Sequence, residues 1–79
     1  MNDSPESRLA IQAAQAKGKR IIVDYVGWLV YELPPSPYDR RSRPSLIFEN
    51  AFVIRRVRNF PAEWRALADD ELVALSWGV

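Results

Sequence analysis

Neither cysteine nor histidine occurs anywhere in this chain. A secreted domain of this size is usually stapled by disulfides, so the missing cysteines favour a reducing, intracellular setting. Without histidine the chain lacks the commonest general acid/base and the commonest transition-metal ligand. The two absences together exclude zinc sites of the finger or protease type. They also exclude Ser-His-Asp and Cys-His nucleophile systems. Glycine is scarce as well, with three residues in all, which leaves no room for a glycine-rich phosphate loop. Long apolar runs are missing too. The longest, Ile21 to Leu33, is broken by Asp24 and Glu32 and is too short and too charged to cross a bilayer. The first ten residues, MNDSPESRLA, contain no hydrophobic stretch of the kind a signal peptide needs. The expectation is a cytoplasmic protein with no membrane partner.

What the chain does contain is enough for one small core. Its 79 residues predict a single domain spanning 1–79, of which 48% are apolar and 11% aromatic. So short a chain buries only about 60–65% of the surface its unfolded form exposes. Stability is therefore expected to be modest, and association of copies through shared apolar surface is one way to add to it.

Along the chain, Ser4-Pro5-Glu6 predicts a helix start, with a cap, a proline at the first helical position and an acid at the positive end of the dipole. Leu9, Ala13 and Ala16 then share one face, with Ala10 and Ala14 beside them, until Lys17-Gly18 supplies a stop. A stripe built on alanine suits a helix laid over a sheet. The run RIIVDYVGWLVYEL (Arg20 to Leu33) is the strongest strand signal, apolar on both alternating faces and so expected to be central. Read as one strand, it sets Ile22, Val26, Trp28 and Val30 on one side and Ile21, Val23, Tyr25, Leu29 and Tyr31 on the other. Gly27 marks a predicted bulge or a split into two strands. Four prolines between Pro34 and Pro44 exclude a ladder there and predict a long loop, the first place to look for a binding segment. Leu46–Phe48 and Phe52–Val57 read as a hairpin around Glu49-Asn50-Ala51. Pro61 opens a helical segment carrying Trp64 and Leu67, and Asp69 reads as the cap of a second one. The predicted fold class is α+β: a small antiparallel sheet of three or four strands with an N-terminal helix and a C-terminal helical segment packed on it.

Arginine is the most distinctive chemical feature. Nine of the eleven basic residues lie between Lys17 and Arg58, against four acids in that span, although the whole chain carries only +1. Arg40, Arg41 and Arg43 in the proline-rich loop, with Tyr38 beside them, suit a phosphate backbone and a stacked base. Arg55, Arg56 and Arg58 extend the cluster. Adjacent strand residues point to opposite faces, so Arg55 and Arg56 put one charge on each side of the sheet, the inner one at the rim or paired with Glu32 or Glu49. Of the three tryptophans, Trp28 reads as core, Trp64 as the pin of the C-terminal segment, and Trp77 as either tucked back or an exposed anchor. Asp24 interrupts the most apolar run, an unfavourable place for an unpaired carboxylate. Asp69, Asp70 and Glu71 are consecutive and do not converge on one point, so no acid set for catalysis or metal binding is predicted.

These residues point to a non-enzymatic protein-interaction module, needing no cofactor, that self-associates through an apolar sheet face. Arginine and aromatic residues are both enriched at such interfaces. The second reading is a nucleic-acid-binding or regulatory protein working through the arginine-rich loop and strand, weakened by an isoelectric point near 8.1 and by the lack of any recognised binding motif.

Overall fold

The apolar run from Arg20 to Leu33 folds back on itself. In the computed structural model, which describes residues 5–35 and 43–77, it forms strands β1 (Lys19–Val23) and β2 (Val26–Leu33), joined by Asp24 and Tyr25. Both turn residues have positive φ, 51° and 67°, as a two-residue hairpin with the right-handed strand twist demands. The split thus falls at Asp24-Tyr25 and not at Gly27, which pairs with Ile22 inside the ladder. A two-residue turn also reverses the parity of the faces. Ile21 lies opposite Trp28 and Val23 opposite Val26, so Ile21 and Val23 share a side with Trp28 and Val30. Ile22 goes to the other side with Leu29 and Tyr31, which corrects the assignment made for a single strand. Asp24 stands exposed in the turn, outside the apolar strand.

β3 (Ser45–Glu49) and β4 (Ile54–Val57) complete a four-stranded antiparallel meander in the order β1-β2-β3-β4. The reversal between β3 and β4 takes the four residues Asn50–Val53, which moves the start of the returning strand two residues beyond the predicted Phe52. Asn50 makes this loop: its Oδ1 accepts from the backbone N–H of Phe52 (2.7 Å) and of Val53 (2.8 Å). A side-chain oxygen that copies a backbone acceptor is the usual reason asparagine sits in turns.

One face of the sheet carries the main core. Ile21, Trp28, Val30, Leu46 and Phe48 are buried against Trp64, Leu72 and Val73, with Val23, Val57, Phe60, Leu67 and Leu75 packed around them. The C-terminal cover consists of a short 3₁₀ turn, Trp64–Ala66, and helix α2 (Asp69–Ala74). Its first carboxylates are Asp69, Asp70 and Glu71, and Glu71 accepts from the backbone N–H of Ala68 at 3.1 Å. Ala68, not Asp69, occupies the cap position. Two polar ties fasten this cover. Lys19 Nζ donates to the carbonyls of Arg65 (3.0 Å) and Leu67 (3.1 Å), and Trp64 Nε1 donates to Glu32 at 3.0 Å. Each fully buried large side chain contributes about 1.5–3 kcal/mol, so Trp64, Phe48, Leu46 and Leu72 together dominate the stability.

The opposite face is covered by helix α1 (Pro5–Ala16), which lies over β2. Tyr31 and Ile47 are buried here, and Tyr31 Oη donates to Glu49 Oε1 at 2.7 Å, an oxygen that also accepts from Gln15 Nε2. Helix residues Ala14 and Gln15 and the following Gly18 turn inward, whereas Leu9, Ala13 and Ala16 face solvent. The helix is draped as expected but turned from Leu9, Ala13 and Ala16 to the neighbouring Ala14 and Gln15, where the chain approaches the sheet most closely. Gly18 shows why. A Cβ there would meet Leu29 Cδ1 at 2.8 Å and two carbonyl oxygens at 3.0 Å, so the glycine serves proximity to the sheet and not a left-handed cap. The fold is a small α+β meander of four strands with a helix on one face and a helical segment on the other. None of the described helices is long and apolar enough to cross a membrane.

Candidate interaction surface

In a meander, the β1–β2 turn and the β3–β4 loop emerge at the same end of the sheet. β2 begins at Val26 and β3 ends at Glu49, so the two tips are neighbours at this end. With strands about 4.8 Å apart, the centres of the two hairpins lie roughly 10 Å from each other. This end concentrates the exposed apolar surface. Nine large apolar side chains are exposed among the described residues, and seven of them are here: Ile22, Tyr25, Val26, Phe52, Val53, Ile54 and Trp77. Tyr25 and Phe52 are 102% and 92% exposed, which leaves both rings in water at the tips.

Trp77 reaches this end from the C-terminal segment. It lines a small hollow of about 110 Å3 with Val23, Asp24, Val26 and Trp28. Its ring lies 3.7 Å from the Arg55 guanidinium, which is also 5.7 Å from Trp28. The inner arginine of the Arg55–Arg56 pair is therefore held by rings, not by Glu32 or Glu49. Arg56 points to the other face and is exposed. Trp77 is both tucked back and exposed: one side of the ring packs on Arg55 while the residue remains 62% accessible. A guanidinium between two indoles is a favourable cation–π arrangement that fixes both rings.

Between the hairpin tips lies a notch of about 550 Å3, because β2 and β3 part company beyond Leu29 and Glu49. Ile22, Gly27 and Leu29 form its apolar part, and Arg20, Glu49 and Asn50 stand at its margins.

The other arginines lie elsewhere. Arg43 and Arg58 share an open cleft of about 560 Å3 at the opposite end of the sheet, with Glu32, Asn59 and Phe60. Tyr38, Arg40 and Arg41 fall outside the described residues. The structure thus joins Arg55 to Trp77 and Arg43 to Arg58, and it separates these two pairs and Arg56 from one another. Among the described residues no group of three or more acids could hold a metal ion. Tyr31 has a pKa pushed up to about 12, first by burial and then by its hydrogen bond to Glu49.

Sequence reasoning missed Tyr25, Phe52, Ile22, Ile54 and Gly27 as surface residues because it placed the first four inside strands or strand faces. Asn50 carried the signal for the second reversal, as a residue whose side chain closes turns; Asp24-Tyr25 carried none, because neither residue is glycine and β-branched residues continue on both sides. No protein-family model, curated protein or solved structure matches this chain.

Proposed function

We propose that this chain is a non-enzymatic protein-interaction module that self-associates through the turn end of its sheet. The observation that carries this reading is the clustering of seven exposed large apolar residues around the two hairpin tips. Tyr25, Phe52 and Trp77 alone expose on the order of 500 Å2, taking about 150–250 Å2 for each aromatic side chain. That already equals the largest apolar patch of an ordinary monomer, about 300–600 Å2, and the aliphatic neighbours extend it towards the roughly 800 Å2 per partner of a stable dimer. The charges favour a second copy as the occupant. Asp24 stands at one hairpin tip, whereas Arg20 and Arg55 lie at its flanks, so a two-fold axis through the patch sets acid against base in both directions. Tyr25 also keeps an aromatic ring where the backbone prefers glycine or asparagine, as expected of a residue retained for contact. Sedimentation equilibrium over a wide concentration range tests the reading. A mass that doubles with concentration, and no longer does so when Tyr25 and Trp77 are both replaced by serine, supports it; a monomer at all concentrations overturns it.

The second reading, a nucleic-acid-binding or regulatory role, is favoured by the Arg43–Arg58 cleft, whose lining brings two arginines and Phe60 together beside Glu32. Fluorescence anisotropy of labelled oligonucleotides across a salt series checks it. Binding that weakens steeply with salt and is lost in Arg43→Ala supports this reading, and absence of binding at low salt removes it.

A further inference from the structure

We infer that the notch at Gly27 is a socket that receives Phe52 of a second copy, so that two chains lock together through two identical ring-in-notch contacts. The inference rests on the self-association reading and names the contact that would carry it.

The socket exists because Gly27 has no side chain. It lies in β2 facing Ile22, and a Cβ built on it would meet nothing within 4 Å. Its φ is not positive, so neither backbone geometry nor a close approach requires glycine here. Glycine inside a strand weakens it, and the residue needs a reason that the fold of one chain does not provide. The reason the geometry offers is the open apolar space that it leaves between Ile22 and Leu29, within a notch of about 550 Å3. That space admits a phenyl ring.

The knob stands beside the socket. Phe52 follows Ala51, which lines the far wall of the notch, and it is 92% exposed. Its loop is set by Asn50 Oδ1, which accepts from the N–H groups of Phe52 and Val53, so the ring is presented on a rigid base. Presenting a ring on a preorganised loop reduces the entropy lost on binding. A knob next to its own socket cannot fill it, but a two-fold axis between them places each knob in the partner's socket in a single docking event. Buried aromatic anchors of this kind dominate interface energies, while charges at the rim, here Arg20 and Glu49, set orientation.

The test uses Gly27→Val, Phe52→Ser and their mixture, with association constants from sedimentation velocity and thermal melts as the folding control. Gly27→Val fills the socket and is expected to melt at or above the wild-type temperature, since valine favours strands. Each variant alone loses both ring-in-notch contacts and is expected to associate on the order of 1,000-fold more weakly, about 30-fold for each of the two hot-spot aromatics lost. An equimolar mixture is expected to recover part of the affinity, because the Phe52→Ser chain keeps its socket and the Gly27→Val chain keeps its knob. A wild-type chain that stays monomeric overturns the self-association reading and this contact together. Wild-type dimers whose affinity is unchanged in both variants overturn the socket alone. Weakened variants whose mixture shows no recovery overturn the pairing of Phe52 with Gly27.

Discussion

Tyr31 illustrates how one buried hydroxyl couples stability to pH. Burial and the bond to Glu49 raise its pKa from 10 to about 12. A raised folded-state pKa means that the native state holds the proton more tightly than the unfolded chain does. The contribution is then fully present below pH 10 and is lost as pH rises from there towards 12. Melts of the wild type are expected to fall across that window, and Tyr31→Phe should remove this part of the decline. Tyr25 poses the opposite case, a residue whose conformation opposes its own stability. Its φ of 67° suits glycine, and Tyr25→Gly is expected to stabilise the dilute monomer by about 0.5 kcal/mol in urea unfolding, after the entropy cost of glycine is subtracted. The same substitution should weaken self-association, which separates strain from contact in one experiment.

At the scale of elements, proximity between α1 and the sheet depends on a single missing methyl. Gly18→Ala forces a Cβ against Leu29 and two backbone oxygens. The expected cost is about 1–3 kcal/mol, read as a fall in melting temperature of roughly 4–8 °C for each kcal/mol in a domain of this length. The sequence made the elements themselves legible, because Pro5, the apolar run and Pro61 each carry strong local signals, while most of the loop predicted from Pro34 to Pro44 lies outside the described residues. The hairpin turn at Asp24-Tyr25 was hidden, since neither residue is glycine and continuous β-branched residues on both sides read as one strand. That single omission inverted the faces and placed Tyr25 and Ile22 wrongly. The rotation of α1 was equally illegible: an alanine-rich helix has little hydrophobic contrast, so tertiary proximity at Gly18 decided its orientation. Of the candidate site, the Arg55–Trp77 contact could not be read from positions 22 apart in sequence, whereas a charge on each face from Arg55 and Arg56 followed directly from strand periodicity.

At the scale of the whole molecule, the exposed aromatics gather at the hairpin tips with Asp24, Arg20 and Arg55 beside them, and the Arg43–Arg58 cleft lies at the other end of the sheet. If copies associate through the tips, the melting temperature should rise with protein concentration, because the folded dimer is favoured by mass action. A chain with the Tyr25 and Trp77 rings removed should lose that dependence. The simple strand order has a further consequence. Leu29, Val30 and Leu46 to Glu49 have a paired strand on both sides, but β4 has a strand on one side only. Deuterium exchange should therefore be slowest at Val30, Tyr31 and Leu46 to Phe48, whose opening requires the core to come apart, and much faster from Ile54 to Val57. Protection gained along β4 only at high concentration would mean that a second chain lies against that edge as well.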